Sequence, residues 1–112
     1  MKVYNYETAN GKDLIYDYIS KLSTAERIDG MSVLEKFTND EIDELRLKHW
    51  RGKVWEVNFY KHNRIFYVAF DEKEAYMLHA CRKQKNRTEK NDSDIVTKRA
   101  KELGMKLSKK II

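Results

Sequence analysis

From Lys53 the apolar residues of this chain recur with a period of two, and no other feature constrains the fold as much. Trp55, Val57 and Phe59 alternate with Val54, Glu56, Asn58 and Tyr60, as in a strand with one buried face. The residues "KHN" then make a tight turn. "RIFYVAF" is apolar almost throughout once past Arg64 and reads as a central strand, "DEKE" turns the chain again, and "AYMLHAC" supplies a third strand. The product is an antiparallel meander.

The first half of the chain is spaced for helices. "KVYNY" alternates and reads as a short edge strand; after Asn10 and Gly11, residues Leu14, Ile15, Tyr18, Ile19 and Leu22 fall on one helical face. "STAE" at Ser23 to Glu26 has the form of a capping box. A second helix follows it, with Ile28, Met31, Leu34 and Phe37 as the apolar face and an end near Thr38 to Asp40. Gly30 in its interior costs about 1 kcal/mol relative to alanine. At the other end, "SDIVTKRAKELG" reads as a basic helix capped by Ser93 and stopped by Gly104. Its sparse apolar positions, Ile95, Val96 and Leu103, predict light packing or docking on a partner. With 112 residues, no proline and no linker, the expectation is one α+β domain over residues 1–112. It is a small antiparallel sheet with two N-terminal helices and a C-terminal helix.

Charge is strongly partitioned. Residues 1–45 carry five cations against ten carboxylates, residues 46–64 six against the single Glu56, and residues 79–112 eleven against four. Two basic blocks of this kind attract polyanions, of which nucleic acid is the commonest in the cytosol; a merely solvated basic surface is the other reading. No stretch approaches the roughly 20 apolar residues of a membrane span. The start, "MKVYNYETANGK", lacks a signal-peptide core, so the cytoplasm is the expected location. Cys81 is the only cysteine, which leaves no intramolecular disulfide and no thiolate zinc set, and it reads as a small buried thiol.

In the meander, the start of the second strand lies beside the end of the third, so Arg64 and the run "RKQKNR" are neighbours. A rim carrying Arg64, Arg82, Lys83 and Lys85 offers fixed cations to a phosphate. Cleavage of RNA by its own 2′-hydroxyl needs a proton acceptor, stabilisation of the phosphorane and a proton donor for the leaving oxygen. Arg64 suits the stabilising role because a guanidinium grips phosphate in a fixed fork. Lys83 and Lys85 are candidate acid or base groups, since a crowded lysine loses its proton more easily. Glu56 is a candidate general base, its other role being an ion-pair partner. His79 is either a proton carrier or a core histidine bonded to the backbone, and His62 is an exposed turn residue. Arg46, Lys48, Arg51, Lys53, Arg82 and Arg87 are candidate RNA contacts. Trp50 and Tyr60 are candidate base-stacking rings, and Trp55 and Phe66 are assigned to the core. Metal-ligand spacings, glycine-rich phosphate loops and serine elbows do not occur, so no metal or cofactor is expected.

Taken together, "VWEVNFYKHNRIFYVAF", "YMLHACRKQKNRT" and the basic closing helix resemble the phage-derived HigB branch of the RelE-like toxin superfamily. The resemblance covers residues 53–103 in detail and rests on Trp55-Glu56, on Arg64 opening an apolar strand, and on Leu78-His79 followed by Lys83. It implies a RelE-like fold and the toxin of a type II toxin–antitoxin system. The implied activity is metal-independent cleavage of mRNA at the ribosome, and the implied partner is a HigA-like antitoxin protein that neutralises it. By the same resemblance, Arg64 is the phosphate-stabilising arginine and Lys83 the basic residue after the last strand, with Lys85 and Arg82 as weaker matches. "RTEKNDSDI" stands where many relatives have a proline, which leaves the start of the last helix open. The competing class is a non-catalytic RNA- or ribosome-binding module. A helix, three strands and a basic helix is also the order of the double-stranded RNA-binding domain.

Overall fold

A computed structural model describes residues 1–83 and 88–112. The order is β1 (Lys2–Asn5), α1 (Leu14–Ser20), α2 (Thr24–Thr38), a 3-10 turn (Ile42–Glu44), β2 (Arg46–Arg51), β3 (Val54–Phe59), β4 (Asn63–Phe70), β5 (Glu74–Arg82) and α3 (Lys90–Leu107). The five strands form one sheet in the order β1-β5-β4-β3-β2. β2 to β5 are an antiparallel meander, and β1 joins β5 in parallel, pairing Lys2 with Glu74. The α+β class holds, but the meander has four strands rather than three. This order, with β1 parallel at one edge, is not that of a double-stranded RNA-binding domain. β2 is an edge strand whose side chains are exposed or half-exposed, so its sequence, "RLKHWR", reads as a basic run instead of a buried strand.

Both central hairpins turn through two successive residues at positive φ, Tyr60-Lys61 and Asp71-Glu72, which matches the right-handed twist of the strands they join. His62 is exposed beside the first of these turns, as its position in the sequence implies.

The sheet is covered on both faces, which corrects the expectation of a single buried face. Ile15, Ile19, Val33, Phe37, Val57, Phe59, Ile65 and Met77 form a core under α1 and α2. Val54, Phe66, Val68, Leu78, Cys81, Val96, Ala100 and Ile111 form a second core under α3. Phe66 is therefore core, as expected, whereas Trp55 is 41% exposed and turns outward. Cys81 is a buried thiol in the second core.

The first two helices begin where the sequence places them. Asp13 accepts the amides of Ile15 and Tyr16, and Ser23 accepts the amide of Glu26 at the start of α2. The buried stripe of α2 is Gly30, Val33 and Phe37, while Ile28 and Met31 are exposed. Gly30 suits this close approach: a Cβ there would lie 3.0 Å from the Phe59 ring and 3.2 Å from Ile19, so those side chains would have to shift by a few tenths of an ångström. α3 begins at Glu89 instead of Ser93, and Ser93 is buried in its first turns. Gly104 lies inside the helix, which ends at Ser108 in the left-handed conformation. Val96 and Ala100 are completely buried, so the helix is firmly seated where light packing was expected.

The last residues close the far end of the sheet. Lys53 N–H in the β2–β3 turn donates to Ile111 O at 2.7 Å. Gly52 in that turn has φ +55°, and a Cβ on it would sit 2.2 Å from the same carbonyl oxygen. Gly52→Ala should therefore lower the melting temperature and unseat Ile111, with about 1–3 kcal/mol lost to overpacking and strain; a variant as stable as the parent would contradict this packing. Gly30→Ala should also lower the melting temperature, because overpacking against Phe59 outweighs the gain of about 1 kcal/mol in helix propensity.

Candidate active site

Register places the polar residues of the α3 side in two rows across the sheet. One row is Arg46, Asn58, Arg64, Cys81; the next is Lys48, Glu56, Phe66, His79. A bulge in β5 completes the second row. Phe66 pairs with His79 but Tyr67 pairs with Met77, so Leu78 is an extra residue that reverses the alternation beyond it. In a regular strand His79, two residues beyond Met77, would face α1 and α2 as Met77 does.

At the centre lies a buried ion pair. Arg64 is 2% exposed and Glu56 3%, with Arg64 Nη1 3.8 Å from Glu56 Oε2. Arg64 Nη1 also donates to Thr88 Oγ1 at 3.1 Å, and its guanidinium lies 5.6 Å from the centre of the Phe66 ring. Asn58 Nδ2 donates to Glu56 Oε1 at 3.3 Å. Glu56 and Thr88 are walls of a cleft of about 670 Å3 between β2 and the start of α3, shared with Lys48, Trp50, Arg51 and Lys90. Trp50 meets Phe66 edge to face at 5.3 Å, and the Arg51 guanidinium covers its ring at 4.6 Å. The cleft thus combines exposed cations, an indole and the Glu56 carboxylate, with the Arg64 guanidinium buried behind that carboxylate, and such groups recognise a phosphodiester and its base.

The other sequence candidates divide. Arg46 and Lys48 share rows with Arg64 and Glu56, and Arg51 lines the cleft. Arg82 points to the opposite face, where its Nη2 donates to Glu26 Oε2 at 3.1 Å. Asn63 Nδ2 donates to the same carboxylate at 2.9 Å and holds it below the usual glutamate range, with Ser23 and Arg82 assisting. Tyr18 donates to Asn63 Oδ1, and burial pushes its phenol up to about 12. Lys53 lies at the other end of β3 from the Arg64 row, and Tyr60 is 40% exposed at the β3–β4 turn. Lys83 follows β5, where its N–H donates to His62 O. Lys85 and Arg87 lie outside the described residues. Thr88, Asn58, Asp92 and Arg99 were not sequence candidates. They reach the site through strand register and the docking of α3, neither of which leaves a local motif.

His79 is engaged at both ring nitrogens. Nε2 lies 2.8 Å from Asp92 Oδ1 and Nδ1 3.4 Å from Arg99 Nη1. A guanidinium only donates, so Nδ1 is the acceptor and Nε2–H donates to Asp92. Burial holds the imidazole below its ordinary pKa, with Arg99 adding to the effect and Asp92 opposing it. Burial likewise pushes the Cys81 thiol up to about 12. Donor atoms of His79, Cys81 and Asp92 lie within 4.8 Å of one another. They suit a cation poorly, because Nε2 carries a hydrogen, the sulfur holds its proton and Arg99 adds positive charge beside them.

The family described as "Phage derived protein Gp49-like (DUF891)" matches residues 10–101. The chain belongs to this family. The match spans both N-terminal helices, the whole meander and most of α3, and so includes Glu56, Arg64 and Thr88. No curated protein matches the chain. Gp49-like proteins are related to toxin–antitoxin systems. Among the described residues, no helix is long and apolar enough to cross a membrane.

The depressed pKa of His79 has a measurable consequence for this Gp49-like chain. Its unfolded state takes up a proton that the folded state resists, so the stabilising contribution is present above the ordinary histidine value of about 6.5 and is lost as pH falls below it. Urea unfolding should show lower stability at pH 5.5 than at pH 7.5, and His79→Gln should remove most of that dependence. An identical slope in both proteins would refute the assignment.

Proposed function

We propose that the chain is the toxin of a type II toxin–antitoxin system: a HigB-like member of the RelE superfamily that cleaves mRNA at the ribosome without a metal ion. Membership of the Gp49-like family supports the toxin reading, and the Glu56–Arg64 pair beside the basic cleft carries the nuclease reading. A phosphodiester held over this pair by Lys48 and Arg51 presents its 2′-hydroxyl to Glu56, which accepts the proton as the oxygen attacks phosphorus. Arg64 stabilises the charge that builds on the phosphorane oxygens. Lys83 and Lys85 are the candidates to protonate the departing 5′-oxygen. The products are a 2′,3′-cyclic phosphate and a 5′-hydroxyl. A HigA-like antitoxin protein would neutralise the toxin, the cytoplasm being the setting for both, and Arg46 with Arg87 completes the proposed RNA contacts, Arg82 being held by Glu26 on the opposite face and Lys53 lying at the other end of β3.

The second reading, a non-catalytic RNA- or ribosome-binding module, draws on Trp50, Arg51 and Lys48 alone. Mapping of mRNA 5′ ends in a cell-free translation reaction separates the two. New ends with the wild-type chain should fall about 10²–10⁴-fold with Glu56→Gln and about 10²–10³-fold with Arg64→Lys. Lysine is preferable to alanine at Arg64, since truncation would strand Glu56 as a buried charge at a cost of about 3–5 kcal/mol. Wild-type chain that sediments with ribosomes and generates no new ends would refute the nuclease and favour the binding module.

A further inference from the structure

The following rests on the nuclease reading above and deepens it. We infer that the Asp92–His79–Arg99 linkage is a positioning element that seats the start of α3 on the sheet so that Thr88 meets the Arg64 guanidinium, and that His79 exchanges no proton with RNA.

Three observations carry this. The first is the hydrogen-bond inventory: with Nδ1 accepting from Arg99 and Nε2–H donating to Asp92, the neutral ring has neither a lone pair nor a proton left for a substrate. The second is access. Arg64 contacts Glu56 and Thr88, which line the cleft, whereas the His79 side chain is 12% exposed and its polar partners, Asp92 and Arg99, do not line it. The third is the linkage's reach. Asp92 lies in the first turn of α3 and Arg99 about two turns further on, so one imidazole grips the helix at two levels of the same side.

The β5 bulge builds this grip. The extra residue Leu78 turns His79 towards α3, and the Leu78 carbonyl accepts from Arg99 Nη1 at 2.8 Å. Arg99 is fixed from its other side by the Tyr6 ring, 4.2 Å from its guanidinium carbon, and Tyr6 OH donates to Glu102 at 2.9 Å. The His79 ring lies nearly parallel to Phe66, at 16° and 6.5 Å, and Arg64 lies against that same phenyl ring. Among the described residues, the charged and titratable groups against the imidazole include Asp92 and Arg99 from α3 and Cys81 from β5. Thr88 is four residues before Asp92, so a first turn clamped by His79 fixes where its hydroxyl meets Arg64.

Two measurements test the linkage. Imidazole ¹⁵N chemical shifts of the wild-type chain require no activity; they should report the Nε2–H tautomer of His79 at pH 7.5. A Nδ1–H tautomer, or titration at the ordinary value of about 6.5, overturns the linkage. The second measurement is mRNA cleavage by His79→Ala and His79→Gln. Glutamine supplies a donor for Asp92 and an acceptor for Arg99 but cannot carry a proton. Loss of the clamp in His79→Ala should lower kcat by as much as about 100-fold with KM little changed. His79→Gln should recover most of that loss and keep the wild-type pH profile. A glutamine variant that stays about 10²–10⁴-fold down, with one limb of the profile gone, would make His79 a proton carrier and overturn the inference while leaving the nuclease intact. If His79→Ala does not fold, the glutamine variant and the tautomer decide. Absence of cleavage by the wild type itself overturns the nuclease reading, and the positioning role with it.

Discussion

The burial of the Glu56–Arg64 pair is the constraint around which this sheet is organised. Two charges at 3% and 2% exposure lose most of their hydration, and their mutual attraction offsets that loss only if the remaining polar positions are satisfied. Asn58 donates to the carboxylate and Thr88 accepts from the guanidinium. Each depends on a separate part of the fold. Asn58 sits beside Arg64 because the β3–β4 hairpin turns through Tyr60 and Lys61 in one particular register, and Thr88 is in place because α3 is seated on the sheet. A slip of one residue in that hairpin would move Glu56 to the α1/α2 face and leave Arg64 without it.

Much of this was legible in the sequence, and the parts that were not share a cause. The strands β3, β4 and β5, the first two helices and the capping by Ser23 follow from periodicity and local chemistry. Glu56, the lone carboxylate in a basic block, has in the structure the ion-pair role that was one of its two readings, with Arg64 as its partner. β2 escaped because an edge strand is held by its neighbour's backbone and need not alternate apolar side chains. The inward side of α2 escaped because the decisive residue, Gly30, has no side chain to contribute to a hydrophobic pattern. At the site, Arg82 follows Cys81 directly and so takes the face opposite Arg64; strand alternation alone implies it. Alternation mispredicts His79, because the extra residue Leu78 has no signature in composition.

The architecture also assigns the basic blocks different tasks. Arg46, Lys48 and Arg51 lie on an edge strand open to solvent, in or beside the cleft, where a polyanion can reach them. Arg82 and Arg99, from the later block, are committed to tying α2 and α3 to β5. Net charge therefore overstates the cations that face the cleft.

The long-range closure of the sheet governs when a growing chain can acquire this cleft. β1 has no strand partner until Glu74 to Met77 have been made, the α3 wall needs Thr88 to Arg99, and the β2–β3 turn is closed by the carbonyl of Ile111. Contacts so distant in sequence form late in synthesis, after most of the chain has left the ribosomal tunnel. A truncated or stalled nascent chain thus carries the cationic edge without the assembled Glu56–Arg64–Thr88 arrangement. Emergence of α3 becomes, for this protein, the step that assembles the Glu56–Arg64–Thr88 arrangement.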